Sequence, residues 1–152
     1  MINESGRSLI EVIGVMALVG VMTVGTLGAY NAFRANQVRT IASAELEQIA
    51  QNTKILLEAR GSYTGVSVDY LVKAGALKTD VAPLGGDDWS VLSSVDGSYF
   101  SINLVGLTNG ECNYFVTKRP AWAAEILVNG FDSLSGDGCF ETDTNQISFI
   151  VE

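Results

Sequence analysis

Residues 6–33 read G-R-S-L-I-E-V-I-G-V-M-A-L-V-G-V-M-T-V-G-T-L-G-A-Y-N-A-F. From Val12 to Phe33 this stretch has no charged residue, and the one acid close to it, Glu11, stands at its start. As an α-helix rising about 1.5 Å per residue, the uncharged run would be about 33 Å long, enough to cross the hydrocarbon core of a bilayer. The stretch therefore predicts a membrane-spanning helix, and the other parts of the chain are interpreted around it.

The residues before this run do not resemble a secretory signal peptide. Residues 1–6, M-I-N-E-S-G, are polar, whereas a signal peptide has a basic start, a shorter apolar region and a small-residue cleavage site after it. No such site follows Phe33, where A-Y-N-A-F-R-A-N continues with a helical composition. We therefore expect the apolar segment to remain in the mature protein as an anchor.

Helical spacing continues beyond the apolar run. A largely apolar stripe recurs at steps of three and four residues, at Val38, Ala42, Leu46, Ile49, Thr53 and Leu56. This spacing predicts an amphipathic helix with one face to bury. No proline precedes Pro83, and Gly61 is a natural stop, so one helix from about Ser8 to Arg60 is expected, about 80 Å long.

Charge is distributed unevenly and excludes several functions. Residues 1–60 hold five acids and five bases, whereas residues 61–152 hold twelve acids and four bases. An acidic region of this kind argues against nucleic-acid binding, which needs clustered Lys and Arg. The chain has no histidine, which removes Ser-His and Cys-His catalytic pairs and imidazole metal sites. We expect no enzymatic activity, no cofactor and no metal, and interpret the loop acids as solvated charges.

The two cysteines, Cys112 and Cys139, both lie in the acidic region. Their separation matches no zinc or C-x-x-C redox pattern. Beyond a membrane anchor, a disulfide formed outside the cytoplasm is the favoured interpretation. Two buried free thiols are the alternative.

After Gly61 the pattern changes from one long helix to short elements. Strands are predicted at 89–92, 99–104, 126–128 and 146–151, and helices at 68–75 and 120–124, while residues 112–116 fit either a helix or a strand. Asp96-Gly97 and Asn129-Gly130 are predicted turns. The sequence thus predicts an α+β fold, a long helix packed on an antiparallel sheet of about four strands.

Glu11 and the glycines of the apolar run each allow two interpretations. Glu11 could form an exposed ion pair with Arg7, or it could be a buried acid that waits for a partner's positive charge. Gly25 and Gly28 could serve close helix packing, or they could allow the helix to unwind locally.

The string G-R-S-L-I-E-V-I-G-V-M-A-L-V-G-V resembles the prepilin signature shared by type IV pilins and type II secretion pseudopilins. That signature is a short polar leader ending in Gly, a glutamate as the fifth mature residue, and an apolar helix. Gly6 and Glu11 occupy those positions. Further along, residues 61–71 and the terminal Asn145–Phe149 segment are similar to type IVb pilins.

The resemblance implies processing, a membrane stage and assembly. A prepilin peptidase would cleave after Gly6 and the new amino terminus at Arg7 would be methylated. The chain would reside in the bacterial inner membrane, meet the pilus assembly platform there, and join an extracellular helical homopolymer. Glu11 would pair with the amino terminus of a neighbouring subunit, and the region of Gly25 and Gly28 would unwind in the filament.

The predicted organisation has four parts. Residues 1–6 form the leader, 7–33 the transmembrane and filament-core half of the helix, 34–60 its amphipathic half, and 61–152 the globular region with the disulfide. The predicted function is a structural subunit of a type IV pilus. A pseudopilin or minor pilin is the near alternative, and a membrane-anchored binding domain that does not polymerise is the alternative of another class.

Overall fold

The first element that the structure describes is one long helix, as predicted. The structure, a computed structural model, describes residues 9–84, 88–134 and 138–152; inside the first helix it describes the side chains of 13–17 and of 29 onward. Helix α1 spans Leu9–Glu58 without interruption. Gly61 follows it with a φ of +72°, in the left-handed region that a glycine adopts easily.

The chain divides into two compact units. The first ends at Val38, and the second, called the head below, runs from Arg39 to Glu152. Helix α1 contributes residues to both units, and its last twenty residues, from Arg39 to Glu58, belong to the head.

Inside the head, α1 buries one face. The fully or nearly fully buried residues recur at helical spacing, at Ala42, Leu46, Ile49, Ala50, Thr53 and Leu57. The predicted stripe is therefore correct from Ala42 to Thr53 and wrong at Val38, while Leu56 is half-buried against the core. Val38 is 44% exposed, and Leu57 replaces Leu56 as the last buried position. Val38 and Leu56 are separated by five full turns at about 3.6 residues per turn, so both lie at the same edge of the stripe. The buried face is centred to one side of that edge, nearer to Leu46 and Leu57.

The other elements form a five-stranded antiparallel sheet with two short helices. They are α2 (Val68–Lys73), β1 (Asp88–Ser93), β2 (Phe100–Leu107), α3 (Asn109–Thr117), β3 (Glu125–Val128), β4 (Phe131–Asp132) and β5 (Asn145–Val151). The strand order is β1-β2-β5-β3-β4, so the last strand inserts between β2 and β3. This confirms the predicted α+β fold, with one strand more than expected.

One face of the sheet supplies the core. Phe100, Ile102 and Leu104 of β2 are buried at alternate positions, and their partners in β5 continue the layer, with Phe149 directly opposite Ile102. These side chains form one hydrophobic core with the buried face of α1 in the head. Phe115 of α3 closes the layer with its ring edge-on to Phe149, 5.5 Å between centroids.

Three local predictions are settled by the structure. Residues 112–116 lie in a helix, α3, whose first turn is closed by a capping box between Thr108 and Glu111. The helix predicted at 120–124 is wrong, because Ala124 N–H donates to the carbonyl of Ile150 (2.8 Å) and draws the chain into the sheet. The missed strand β4 has only two residues, too few to show an alternating pattern.

Both predicted hairpin turns are confirmed. Gly97 has a φ of +72° between β1 and β2. Asn129 and Gly130 have φ values of +51° and +88° between β3 and β4. Two successive positive φ values define the turn type that suits the twist of an antiparallel hairpin, and Asn-Gly is its preferred sequence.

Candidate functional site

The residues that the sequence assigns to processing and assembly lie in the first part of the chain. Gly6 and Arg7 are outside the residues that the structure describes. Glu11, Gly25 and Gly28 lie within the continuous backbone of α1, at positions whose side chains are not described. The unwinding predicted near Gly25 and Gly28 concerns the filament and stays a prediction, as does the pairing of Glu11.

The described part of α1 before the head presents large apolar side chains to the surroundings. Five of them are between 59% and 72% exposed: Ile13, Val15, Met16, Tyr30 and Phe33. Apolar area in water costs about 25 cal/mol per Å², and an exposed row of such side chains marks a surface that binds another surface. This part of α1 can therefore gain free energy by packing against a second apolar surface.

Over the residues that the structure describes, no helix is long and apolar enough to cross a membrane. Residues 18–28, in the middle of the predicted span, are among those whose side chains are not described.

Arg39 and Gly110 mark where α1 meets α3 within the head. Arg39 is half-buried, and its guanidinium Nη2 lies 2.7 Å from the point where a Cβ on Gly110 would stand. A side chain at position 110 would therefore displace the Arg39 guanidinium. The absence of a side chain at Gly110 leaves room for the Arg39 guanidinium over the first turn of α3.

A groove of about 550 Å³ lies on the head beside α1. One wall is α1 with Ile41, and the facing wall is the segment after α2 with Val81; both side chains are more than 60% exposed. The facing wall is held by two hydrogen bonds. Trp89 Nε1 donates to the carbonyl of Asp80 (2.7 Å), and Asn52 Nδ2 donates to the carbonyl of Ala76 (3.1 Å).

The cysteines form a disulfide, and the alternative of two free thiols is wrong. Cys112 in α3 is joined to Cys139, with 5.9 Å between the Cα atoms. The bond links a fully buried position of α3 to the half-buried segment before β5. It closes a loop that contains β3 and β4.

Two asparagines near this disulfide carry structural roles that the sequence analysis did not assign. Asn145 is fully buried at the start of β5, and Asn129 occupies the left-handed turn after β3. Their side-chain amides are hydrogen-bonded to each other (3.1 Å). The Asn-Gly pair was visible as a turn signal. Strand alternation places residue 145 on the same face as Ile147 and Phe149, but it does not indicate which groups the Asn145 amide bonds.

Two titratable groups of the head have shifted pKa values. Hydrogen bonds from the hydroxyls of Ser94 and Ser98 lower the pKa of the Asp96 carboxyl to about 2. Burial, and secondarily the negative charge of Glu58, raise the pKa of the Tyr63 hydroxyl. Tyr63 lies in the turn after α1 and Asp96 in the turn of the β1–β2 hairpin, and the Tyr63 N–H donates to the carbonyl of Gly97, the residue after Asp96. This position indicates a structural role for both groups. Among the described residues, no cluster of three or more acidic or cysteine side chains could hold a metal ion.

Comparison with known proteins identifies the fold. No protein-family model matches the sequence, and no match was found among curated proteins. Among solved structures, the chain is similar to the crystal structure of TcpA, a type IV pilin from the Vibrio cholerae El Tor biotype. The TM-score is 0.62 at 17% identity, over 76% of this chain and 99% of that one.

Proposed function

We propose that this chain, which has the type IV pilin fold, is a structural subunit of a type IV pilus that polymerises through α1. The observation that carries the proposal is the exposure of large apolar side chains of α1 between Ile13 and Phe33. It applies to residues 13–17 and 29–33, whose side chains the structure describes. The hydrophobic core among the described residues lies within the head and includes none of these side chains. Packing α1 against α1 of other copies would remove these side chains from water.

Polymerisation through a helix with one acid near its start needs a positive charge close to that acid. A carboxylate in a low-dielectric bundle is unfavourable unless a cation pairs with it. In the proposed mechanism, cleavage after Gly6 creates an amino terminus at Arg7, which is then methylated. The amino terminus of one subunit pairs with Glu11 of its neighbour, so only the correct register neutralises the acid.

The proposal includes a sequence of locations. The uncharged run 12–33 holds the precursor in the bacterial inner membrane, where a prepilin peptidase and the assembly platform act on it. The disulfide Cys112–Cys139 agrees with an oxidising compartment for the head. Assembly then moves α1 from the lipid to the filament core, on the cell surface.

The experiment that tests the proposal compares two charge-removing variants on the same helix. Glu11→Ala should abolish filaments in electron micrographs of the producing cells, while the precursor still inserts and the head still folds. Glu47→Ala, at an exposed position of α1 within the head and outside the groove beside Ile41, is the matched control and should leave filaments intact. Filaments of normal yield from Glu11→Ala would refute the pairing.

Mass spectrometry of the purified chain tests processing separately. We expect the mature chain to begin at Arg7 with one additional methyl group. An intact Met1 in assembled filaments would refute the cleavage. If the wild-type chain stays in the membrane and no filament contains it, the non-polymerising anchored domain is the correct function.

The abundance of the chain in sheared filaments distinguishes a major pilus subunit from a minor pilin or a pseudopilin. A major subunit should account for most of the filament protein. A minor pilin or a pseudopilin would be a small fraction, and filaments of other subunits would persist after deletion of its gene.

A further inference from the structure

The segment between the disulfide and the last strand contains no helix or strand, but asparagine side chains form several hydrogen bonds to its backbone. Residues 138–144, called the C-terminal loop here, run from the disulfide to the start of β5. The loop is at the surface, with Phe140 50% exposed and Glu141 to Thr144 exposed as well. Its shape is therefore part of the surface that the head presents.

Asn145 makes hydrogen bonds to this loop with both ends of its side-chain amide. Its Oδ1 accepts from the N–H of Phe140 (2.7 Å), and its Nδ2 donates to the carbonyls of Phe140 (3.0 Å) and Thr142 (2.8 Å). The same Nδ2 also lies 3.2 Å from the carbonyl of Leu107 at the end of β2, so its two N–H groups are shared among three carbonyls. One buried side chain thus joins the loop to the sheet.

Only an amide can make this set of bonds. An asparagine offers an acceptor oxygen and two N–H donors, whereas an aspartate of the same shape offers acceptors alone. A carboxylate at position 145 would turn an oxygen toward three carbonyl oxygens in a fully buried place. That oxygen would face the three carbonyls without a donor, which is strongly unfavourable in a buried place.

Two other asparagines complete the arrangement. Asn129 Nδ2 donates to Asn145 Oδ1 (3.1 Å) and to the carbonyl of Gly138 (3.3 Å), and its Oδ1 accepts from the N–H of Gln146 (2.9 Å). Asn109, in the first turn of α3, donates to the carbonyl of Phe140 (2.9 Å). The loop is therefore bonded to α3, to the β3–β4 turn and to β5 by amide side chains.

The disulfide holds this loop at one residue only, Cys139. The amides hold the residues after it, up to Thr142. We infer that Asn145, supported by Asn129, fixes the conformation of the C-terminal loop, and that the disulfide acts mainly on the stability of the whole head. The surface of the loop then keeps its shape when the disulfide is reduced.

Amide hydrogen exchange on the full chain in detergent tests this inference. The reporter is the N–H of Phe140, which donates to Asn145, and the reference is the N–H of Phe149 in the central strand β5. Reduction of the disulfide in the wild-type chain should change the protection factor of the Phe140 amide by less than about threefold. In oxidised Asn145→Ala, which removes the acceptor of the Phe140 N–H together with the donors to the loop carbonyls, the protection of Phe140 should fall about tenfold or more, the factor expected for a lost buried hydrogen bond, while Phe149 stays protected.

Matched variants make each outcome decisive. Asn31→Ala removes the same amide at an exposed position of α1 and should leave Phe140 unchanged. If Asn145→Ala does not fold, Asn145→Leu takes its place, because it removes the same hydrogen-bonding groups while filling the space with a side chain of similar shape. Loss of protection at Phe140 on reduction, alone or together with Phe149, overturns the inference. So does full protection of Phe140 in the oxidised Asn145 variant.

Discussion

The backbone N–H of Tyr63 donates to the carbonyl of Gly97 over 3.0 Å, so the turn that follows α1 is bonded to the tip of the β1–β2 hairpin. The Tyr63 ring also packs against Phe100 at the start of β2, with 4.9 Å between ring centroids. These two contacts set the position of the first hairpin relative to the end of α1 within the head. A change at position 97 should therefore affect both elements.

Gly97→Ala should destabilise the head by about 2–3 kcal/mol, because two costs add. A non-glycine residue at a positive φ costs about 1 kcal/mol, and the new Cβ would collide with the hydroxyls of Ser62 and Thr64. Gly106→Ala is the matched control, since Gly106 has a similar φ (+74°) and nothing within 4 Å of the added Cβ. Denaturant unfolding should show a clearly smaller loss for Gly106→Ala, and equal losses would mean that the collision is relieved.

Leu57→Ala should cost about 2–5 kcal/mol of unfolding free energy, as expected for a fully buried leucine. Ile55→Ala, two residues earlier on the same helix and 71% exposed, should change it by about 0.5 kcal/mol or less. Chemical denaturation of the two variants measures the difference. Similar losses would show that α1 packs on the sheet through a different face.

The stability of the β1–β2 turn should depend on pH only in strongly acidic solution. The pKa of Asp96 is lowered in the folded head to about 2, from the usual 3.8, so folding favours its charged form. The contribution is complete above about pH 4, and it is lost as the pH falls through the folded pKa. Carboxyl NMR titration should give a midpoint close to 2, and Ser94→Ala, which removes the hydroxyl 2.7 Å away, should raise it. An unchanged midpoint in Ser94→Ala would assign the shift to other groups.

Reduction of Cys112–Cys139 should lower the unfolding free energy of the head by about 3–4 kcal/mol, the value for closing a loop of this length in the unfolded chain. Urea unfolding with and without reductant measures it, and the Cys112→Ser, Cys139→Ser double variant should match the reduced wild type. A double variant as stable as the oxidised protein would contradict the expectation.

Ile41→Lys should reduce filament yield without changing the melting temperature of the head. Ile41 is 64% exposed and lines the groove beside α1, so a lysine there costs nothing in the single chain but introduces a charge where a second copy would pack. Val95→Lys, at a fully exposed hairpin position outside the groove, should leave yield unchanged. Equal effects of the two variants would mean that the groove is not part of the assembly contact.

Much of the fold could be predicted from the sequence because its signals are local. Apolar spacing gave the long helix, Gly61 its end, and the Asp96-Gly97 and Asn129-Gly130 pairs their turns. Thr108 and Glu111 stand three residues apart and form a capping box, so the same kind of signal would have settled α3 as a helix. Each of these features depends on backbone preferences within a few residues.

The candidate site was predicted less completely. The apolar exposure of α1 follows from its composition, and the structure adds where the head begins to cover the helix, at Ala42 after the half-buried Arg39. The groove beside Ile41 and the amide network of Asn145 were not predicted. Both depend on residues that are far apart along the chain.

By itself the sequence determined the helix, its exposed apolar surface, the turns and the possibility of a single disulfide. Periodicity and turn chemistry act over a few residues and can be recognised without knowing the contacts of the chain. Only the tertiary structure decided that β5 lies between β2 and β3, that Ala124 bonds to β5 instead of continuing a helix, and that the Asn145 amide bonds to the C-terminal loop. These outcomes depend on which distant segments exclude water together, and no short stretch of sequence specifies that.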